Sequence, residues 1–338
     1  MTLPRSAAVL GLGAVGGALV HELPKAGVPV LLQWRRADGA LPSLVRKAAL
    51  VLLAVPDGAV EGLCEQLAAA GLCGPKQLVV HLAGALPISP LQAAKRRGAR
   101  TGSIHPLRAF VRGGPTSFRG AACGISGSSP AALEELRALA GALGLTPVDA
   151  PDGSRALYHA GAVLSAGGEV ALFAAATQAF QLATHCTEAE ARRALLPLTL
   201  NALEKLSDRT PAEALTGPVA RGDAATIRAH RAALPAGLRG LYDALSKVAL
   251  ELARLGKRST PAALDAVETA INARTTSGTT RPSKPTAAPG SPGRRSGSSP
   301  PRPRPPAPKS PAASSPRSGR SGPPRAPPPP GRGPRRRR

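Results

Sequence analysis

The sequence predicts an α/β fold, in which a doubly wound parallel sheet is followed by an all-helical region and a disordered tail. Short apolar runs alternate with amphipathic helical segments over residues 1–150, helical segments alone occupy 151–274, and Pro and Arg dominate 275–338. Alternation of buried strands with helices is typical of a parallel sheet that is covered on both faces. We therefore predict three parts with these bounds.

Seven apolar runs predict the strands of the sheet. They lie at Ala7–Leu10, Val28–Gln33, Ala49–Val55, Gln77–Leu82, the residues leading into Ile104, Ala121–Ile125 and Thr146–Val148. The helix after the sixth strand begins with a capping signal, Ser129 followed by Pro130. Beyond Ser154, segments rich in Ala and Leu predict helices over 155–182, 188–206, 224–255 and 261–273.

The formal net charge of +24 is largely a property of the tail. Residues 275–338 contain 15 Lys and Arg and 19 Pro but no acidic, aromatic, Leu, Ile or Val residue, a composition that predicts disorder. The tail is the one candidate for nucleic-acid binding, and its lack of aromatic residues argues against base recognition. A passive extension is the alternative.

Cysteine spacing and hydropathy favour a cytoplasmic protein without a metal. The four cysteines show no spacing typical of metal ligands, and reduced thiols are the simpler interpretation. We identify no apolar run of the length that a membrane span requires. We therefore expect neither a metal nor a membrane partner.

A G-x-G-x-x-G motif follows the first strand and opens the first helix, the context of a Rossmann dinucleotide site. Gly11 permits the tight turn, Gly13 lets the backbone approach a pyrophosphate, and Gly16 lets the helix pack closely on the strand. The helix begins at Ala14 and Val15, where free N–H groups favour a bound phosphate.

The residues after the second strand favour NADP over NAD. Arg35 and Arg36 stand where a basic side chain would accommodate the 2′-phosphate, although paired arginines can also be plain surface. Further candidates for the cofactor follow the third and fourth strands: Val55, Pro56, His81, Ala83 and Gly84. For His81 we favour a structural role.

Four strings of residues resemble a known family: Val79–Gly84, Ser103–Leu107, Tyr158–Ala160, and Leu215–Asp223 with Thr226 and His230 after it. Over residues 6–255 the chain resembles bacterial Rossmann-like proteins that carry the domain of unknown function 2520 (DUF2520). Its N-terminal half resembles pyrroline-carboxylate reductases, 6-phosphogluconate-type dehydrogenases and prephenate dehydrogenases.

This resemblance implies an NADP-binding domain and a helical domain that forms a homodimer and completes the active site. It implies no particular substrate. The chain departs from the family pattern at Ala166-Gly167, where Ser-Asn is expected. This departure bears on turnover and not on cofactor binding.

Hydride transfer requires a proton donor or acceptor, for which histidine is suited near neutral pH. His105 is the first candidate, since prephenate dehydrogenases carry a similar His-Pro pair, and a cap of the strand end is the alternative. His159, on a helix rich in small residues, is the second.

Three residues of the loop between helices are candidates for substrate binding: Thr216, Arg221 and Asp223. Arg221 could hold a substrate carboxylate, and for Asp223 we favour a helix cap. The leading hypothesis is an NADP-dependent oxidoreductase that acts on a small carbonyl or imine compound. A non-catalytic NADP-binding sensor or scaffold is the alternative.

Overall fold

The computed structural model describes residues 3–110 and 117–273, so the predicted disordered tail lies outside the described residues. Contacts divide the chain into Met1–Thr276 and Ser277–Arg338, and all described residues belong to the first unit. The seven predicted strands are confirmed, with ends shifted by a few residues. They are β1 Ala7–Leu10, β2 Val30–Trp34, β3 Leu50–Leu53, β4 Leu78–His81, β5 Arg100–Pro106, β6 Ala122–Gly127 and β7 Thr146–Asp149.

The strands form one sheet in the order β2-β1-β3-β4-β5-β6-β7. Strands β1 to β5 run parallel, so their carboxyl ends share one edge, and the order reverses between β1 and β3. Ligands of such sheets bind outside this edge, at the reversal. The predicted doubly wound parallel sheet is confirmed, with one antiparallel junction where β6 pairs with β5. Apolar runs predict strands but not their direction.

Helices cover both faces of the sheet, as the buried strands require. Helices α1 (Ala14–Lys25) and α4 (Pro130–Ala142) cover one face, and α2 (Val60–Ala69) and α3 (Gln92–Arg96) cover the other. The predicted cap of α4 is confirmed, since Ser129 Oγ accepts a hydrogen bond from the Ala132 N–H. Each fully buried Leu of these two cores contributes about 2 kcal/mol.

The region after residue 150 is helical throughout its described length, apart from short turns. Its helices are α5 Arg155–Val163, α6 Glu169–Thr184, α7 Glu188–Glu204, α8 Pro211–Ala214, α9 Pro218–Arg221, α10 Ala224–Ala233, α11 Ala236–Gly256 and α12 Pro261–Asn272. A third hydrophobic core joins α9 to α12 through buried residues such as Ile227 and Val267. The single helix predicted over 224–255 is wrong, because Leu234 is extended before Pro235 and separates two helices.

A π turn, Leu164–Gly168, joins α5 to α6 in one continuous helical stretch. Asp152–Thr184 is long and apolar enough to cross a membrane by length and composition, and only 6% of its most apolar window is buried. The expectation that the chain has no such run is therefore wrong, since Ala and Gly, with few charged residues among them, make the stretch apolar. Its exposed face includes Leu164 and Val170.

Candidate cofactor and substrate site

The glycine motif forms the turn between β1 and α1 at the carboxyl edge of the sheet. Gly11 has a φ of +102°, and a Cβ there would overlap the Ala54 carbonyl, so only glycine fits. A Cβ on Gly16 would overlap the Gly11 carbonyl. By contrast, no atom lies within 4 Å of the place that a Cβ on Gly13 would take.

The first turn of α1 is open to an anion. Gly13 is its N-cap and has no side chain to bind the free N–H groups, which begin with those of Ala14 and Val15. Such a terminus attracts a phosphate through its N–H groups and its dipole. The turn therefore fits the pyrophosphate of a dinucleotide, with Gly13 as the residue whose missing side chain leaves the space.

A cleft of about 420 Å³ lies beside this turn, between the end of β2 and helix α2. We call it the β2 cleft; it is lined by Gly11, Trp34, Arg36, Gly39, Val55, Gly58, Ala59, Gly62, Leu63 and Gln66. Of the two predicted arginines only Arg36 lines it. Arg35 instead pairs with Asp38, whose carboxylate also accepts the Arg35 backbone N–H at 2.7 Å.

Sequence reasoning missed several residues of the β2 cleft: Trp34, Gly58, Gly62 and Gln66. Gly58 and Gly62 are four residues apart around the start of α2, which places them on one helix face. That spacing, just after Val55 and Pro56, was the feature of the sequence that could have predicted this wall of the cleft. Pro56 itself is the residue that turns the chain from β3 into this helix.

A larger cavity, of about 520 Å³, lies at the carboxyl end of β5 against α5 and the π turn. We call it the His105 cavity; it is lined by His105, Pro106, Leu107, Arg108, Ala109, Tyr158, His159, Gly161, Ala162, Val163, Ser165, Ala166 and Gly167. Both predicted catalytic histidines therefore meet here, although they are 54 positions apart in the chain.

Tyr158 fixes the His105 side chain from one side. Its Oη lies 3.2 Å from His105 Nδ1, accepts the Gly124 N–H at 2.9 Å and donates to the His105 carbonyl at 3.3 Å. Gly124 has to be glycine, because a Cβ there would overlap the Tyr158 ring. Burial raises the pKa of the Tyr158 hydroxyl, so the tyrosine keeps its proton at neutral pH.

The loop after β4 packs against both histidines. Their rings meet edge to face with centroids 5.4 Å apart. A Cβ on Gly84 would overlap the His159 ring and lie 2.9 Å from His105 Nε2. The predicted cofactor residue Gly84 thus packs against both histidines, while the carbonyl of Ala83 before it accepts a hydrogen bond from Arg155.

His105 is neutral at physiological pH. Burial is the main reason that its pKa is lowered to about 4, and the nearby His159, Arg155 and His81 contribute to this lowering because each is a positive or potentially positive neighbour. The ring can therefore accept a proton or donate its remaining N–H, but it does not act as an imidazolium near pH 7.

His81 is fully buried and supports the loop after β4. Its Nε2 lies 3.0 Å from the Pro87 carbonyl, which can only accept, so Nε2 carries the proton. Burial lowers its pKa to about 4. These contacts agree with the structural role favoured for His81, which lines neither cavity.

Arg155 is a buried cation that sequence reasoning missed. It is 1% exposed, and its Nη2 donates to the Ala83 carbonyl at 2.7 Å. Its Nε and Nη1 have no partner among the described residues, while its guanidinium lies 5.3 Å from the centre of the Tyr158 ring. Burial lowers its pKa from the usual range. Arg155 thus gives the base of the site a positive potential.

Two family models match the chain. One, described as a domain of unknown function (DUF2520), matches residues 121–249, and the other, a Rossmann-like domain, matches residues 36–106. Residues 36–106 thus resemble a Rossmann-like domain and residues 121–249 a DUF2520 domain, and we use these names for the two regions. Tyr158 and His159 come from the DUF2520 domain and His105 from the Rossmann-like domain, so the His105 cavity lies where the two meet.

Solved structures share this fold at low sequence identity. Protein TM1727 from Thermotoga maritima is 20% identical with a TM-score of 0.55, and the match covers 75% of this chain and 92% of that one. BF3122 from Bacteroides fragilis, provisionally assigned as an NADP oxidoreductase, is 21% identical with a TM-score of 0.54, and the match covers 75% of this chain and 97% of that one. A reductive aminase from Aspergillus terreus in complex with NADPH is 17% identical with a TM-score of 0.52, and the match covers 79% of this chain and 99% of that one. No curated protein matches the chain.

The predicted substrate residues of the DUF2520 domain lie elsewhere in the chain. Thr216, Arg221 and Asp223 belong to the region of α9 and α10, and none of them lines the His105 cavity. Asp223 is the N-cap of α10, as favoured: its carboxylate accepts from the Thr226 N–H at 3.0 Å and from the Thr226 hydroxyl at 2.6 Å. These bonds lower its pKa.

Among the described residues, the side chains of Arg221 and Asp223 form no ion pair within 4 Å, although Arg221 helps to lower the pKa of Asp223. Arg221 is exposed, and its carbonyl accepts a hydrogen bond from the Ser259 hydroxyl at 3.2 Å. The carboxylate of Asp223 is engaged by Thr226 instead, because a cap is satisfied locally. The assignment of Thr216, Arg221 and Asp223 to substrate binding stays a prediction.

The DUF2520 domain supplies a hydroxyl close to its departure at Ala166-Gly167. Ser165 lines the His105 cavity together with these two residues. The π turn that contains all three inserts an extra residue into the helix, and such turns are frequent at functional sites. Within residues 3–110 and 117–273, no group of three or more His, Cys, Asp or Glu could hold a metal ion.

Proposed function

We propose that this protein is an NADP-dependent oxidoreductase that transfers a hydride between NADP(H) and a small carbonyl or imine compound. One observation carries the proposal: an open glycine turn and a cavity with a neutral histidine lie on the same carboxyl edge of one sheet. A nicotinamide cofactor would supply the hydride. The assignment of relatives as NADP-dependent reductases agrees with it.

The residues of the β2 cleft favour NADP over NAD. Arg36 lines the cleft, and no Asp or Glu is among the residues that line it. Asp38, the nearest carboxylate in sequence, is engaged by Arg35. A cofactor with a 2′-phosphate would find a guanidinium there, whereas the ribose hydroxyls of NAD would lack their usual carboxylate.

His105 and Tyr158 can move a proton in either direction. When the Tyr158 hydroxyl donates to His105 Nδ1, the proton of the ring lies on Nε2, which can then donate it. When the Tyr158 hydroxyl donates to the His105 carbonyl instead, the proton of the ring can lie on Nδ1, and Nε2 can accept a proton. Such a pair suits a carbonyl or imine that gains a proton on reduction and loses it on oxidation. His159 and Ser165 would orient the substrate.

The three polar groups of His105, Tyr158 and Ser165 favour an enzyme over a non-catalytic sensor. The argument for a sensor rests on Ala166-Gly167, and Ser165 places a hydroxyl one residue before it. We also propose that the protein is cytoplasmic and forms a homodimer through its helical region, whose apolar face a second copy would cover. Binding of nucleic acid by the tail remains a prediction.

Calorimetric titration of the full chain with NADPH and NADH tests the proposal first. We expect NADPH to bind more tightly, and Arg36→Ala to weaken NADPH binding by about tenfold or more while NADH binding changes little. Arg35→Ala, the matched control, should affect neither nucleotide strongly because Arg35 pairs with Asp38.

Failure of both nucleotides to bind would refute the proposed function. Equal weakening of NADPH and NADH by Arg36→Ala would refute the assignment of the 2′-phosphate site alone. If NADPH binds, His105→Ala should abolish turnover of any oxo acid or cyclic imine that serves as substrate, while NADPH affinity stays within about twofold.

A further inference from the structure

The His105 cavity carries positive charge without a carboxylate to balance it. Arg108 is the only Lys or Arg among the described residues that line it, and no Asp or Glu lines it. The remaining wall is apolar or neutral, from Pro106 and Ala162 to the neutral ring of His105. A charged group on a bound molecule would therefore interact mainly with one guanidinium.

Arg108 has no ion-pair partner among the described residues. It is exposed, and its one hydrogen bond to a described residue, from Nη1 to the Arg119 carbonyl, is 3.4 Å long. Every Asp and Glu side chain of the protein belongs to a described residue, and none lies within 4 Å of the Arg108 guanidinium. Within the described part of the chain, most of its donors have no partner and could bind a ligand.

Arg155 adds a second positive charge below the same cavity. Its guanidinium is buried against Tyr158, and two of its three nitrogens lack a partner. Asp152 is the one carboxylate that favours the charged form of Arg155. Its carboxylate accepts the Ile88 N–H at 3.2 Å and does not come within 4 Å of the Arg155 guanidinium. The charge of Arg155 is thus only partly balanced, and an anion above it would be stabilised.

We propose that the substrate of the His105 cavity carries a carboxylate next to its reacting carbonyl or imine carbon, and that Arg108 binds this carboxylate. The inference rests on the proposed function and narrows its substrate class to 2-oxo acids and cyclic imino acids. A planar guanidinium binds a carboxylate through two parallel hydrogen bonds, which fixes position as well as charge. Arg108 stands three residues after His105, so both act at the same end of β5.

A matched pair of ligands tests the inference without knowledge of the substrate. Pyrrole-2-carboxylate and pyrrole-2-carboxamide have nearly the same planar shape and differ in charge. In titrations of the full chain saturated with NADP⁺, we expect the carboxylate to bind about tenfold more tightly or better. Arg108→Ala should remove this difference, Arg108→Lys should keep part of it, and the control Arg228→Ala should keep all of it.

Three results would overturn the inference: equal binding of carboxylate and amide, equal weakening of both by Arg108→Ala, or no binding of either to the NADP⁺ complex. Unchanged NADP⁺ affinity of the Arg108 variants shows that they are folded. Failure of the wild type to bind NADPH would overturn the proposed function together with this inference. If the protein binds NADPH and reduces an uncharged imine without any preference for carboxylates, the inference about Arg108 is overturned and the proposed function stands.

Discussion

His81 and His105 end adjacent strands, and burial lowers the pKa of both to about 4, yet their surroundings differ. His81 is enclosed, and its Nε2 donates to the Pro87 carbonyl. His105 reaches a cavity and contacts Tyr158. Because a lowered pKa accompanies both roles, access to a cavity and not the pKa distinguishes the candidate catalytic histidine from the structural one.

The buried His81 makes the stability of the protein depend on pH. Its pKa is lower in the folded than in the unfolded chain, so the unfolded chain binds more protons between about pH 6.5 and 4, and stability falls as the pH falls through this window. His81→Gln keeps an N–H donor and cannot titrate. Urea unfolding should show that wild type loses about 2 kcal/mol more than His81→Gln between pH 7.5 and 5.

The control for this measurement is His21→Gln, since His21 is an exposed residue of α1. Between pH 7.5 and 5, the His21→Gln variant should lose as much stability as the wild type. Equal losses in wild type and His81→Gln would contradict the prediction and show that His81 accepts a proton in the folded state at little cost.

At the scale of elements, the glycines of the turn between β1 and α1 differ in whether the fold requires them. Gly11 and Gly16 face backbone carbonyls that a Cβ would overlap, so the fold requires them. Gly13 and Gly17 face open space, so the fold does not. A glycine that the fold does not require, at an uncapped helix N-terminus, fits a role in binding.

This contrast predicts different effects for two similar substitutions. Gly13→Ala should change thermal stability by only a few tenths of a kcal/mol but weaken NADPH binding about tenfold or more, because the methyl group enters the space for the phosphates. Gly17→Ala, inside α1, should stabilise the protein by about 1 kcal/mol and leave NADPH affinity within about twofold. Equal NADPH affinities of the two variants, measured by calorimetry beside thermal unfolding, would contradict this role of Gly13.

The sequence was sufficient to predict the strands and the glycine turn, because apolar runs and glycine spacing are local signals. It did not predict the antiparallel direction of β6, since strand direction depends on how the intervening segment crosses the sheet. Arg108 and Arg155 were missed as site residues because burial and missing partners become visible only after folding. Asp223 shows the reverse case, in which a local capping rule predicted the observed bonds.

At the scale of the whole molecule, several large apolar side chains of the helical region are exposed. Leu164, Val170 and Leu198 are 70%, 72% and 66% exposed, on the π turn, α6 and α7. Extended apolar patches indicate a partner surface, either another protein or a membrane. Because the start of the same helical stretch, at Tyr158 and His159, lines the His105 cavity beside the sheet, a second copy of the chain fits better than a bilayer.

We therefore expect the full chain to be a homodimer at micromolar concentration in light scattering after size exclusion. Val170→Glu and Leu198→Glu should each shift it toward the monomer mass of 34.1 kDa, because a buried carboxylate without a partner opposes association. Leu31→Glu, which changes an equally apolar but less exposed residue of β2, should leave the dimer intact. A monomeric wild type that binds lipid vesicles through the same residues would show instead that a membrane covers this face.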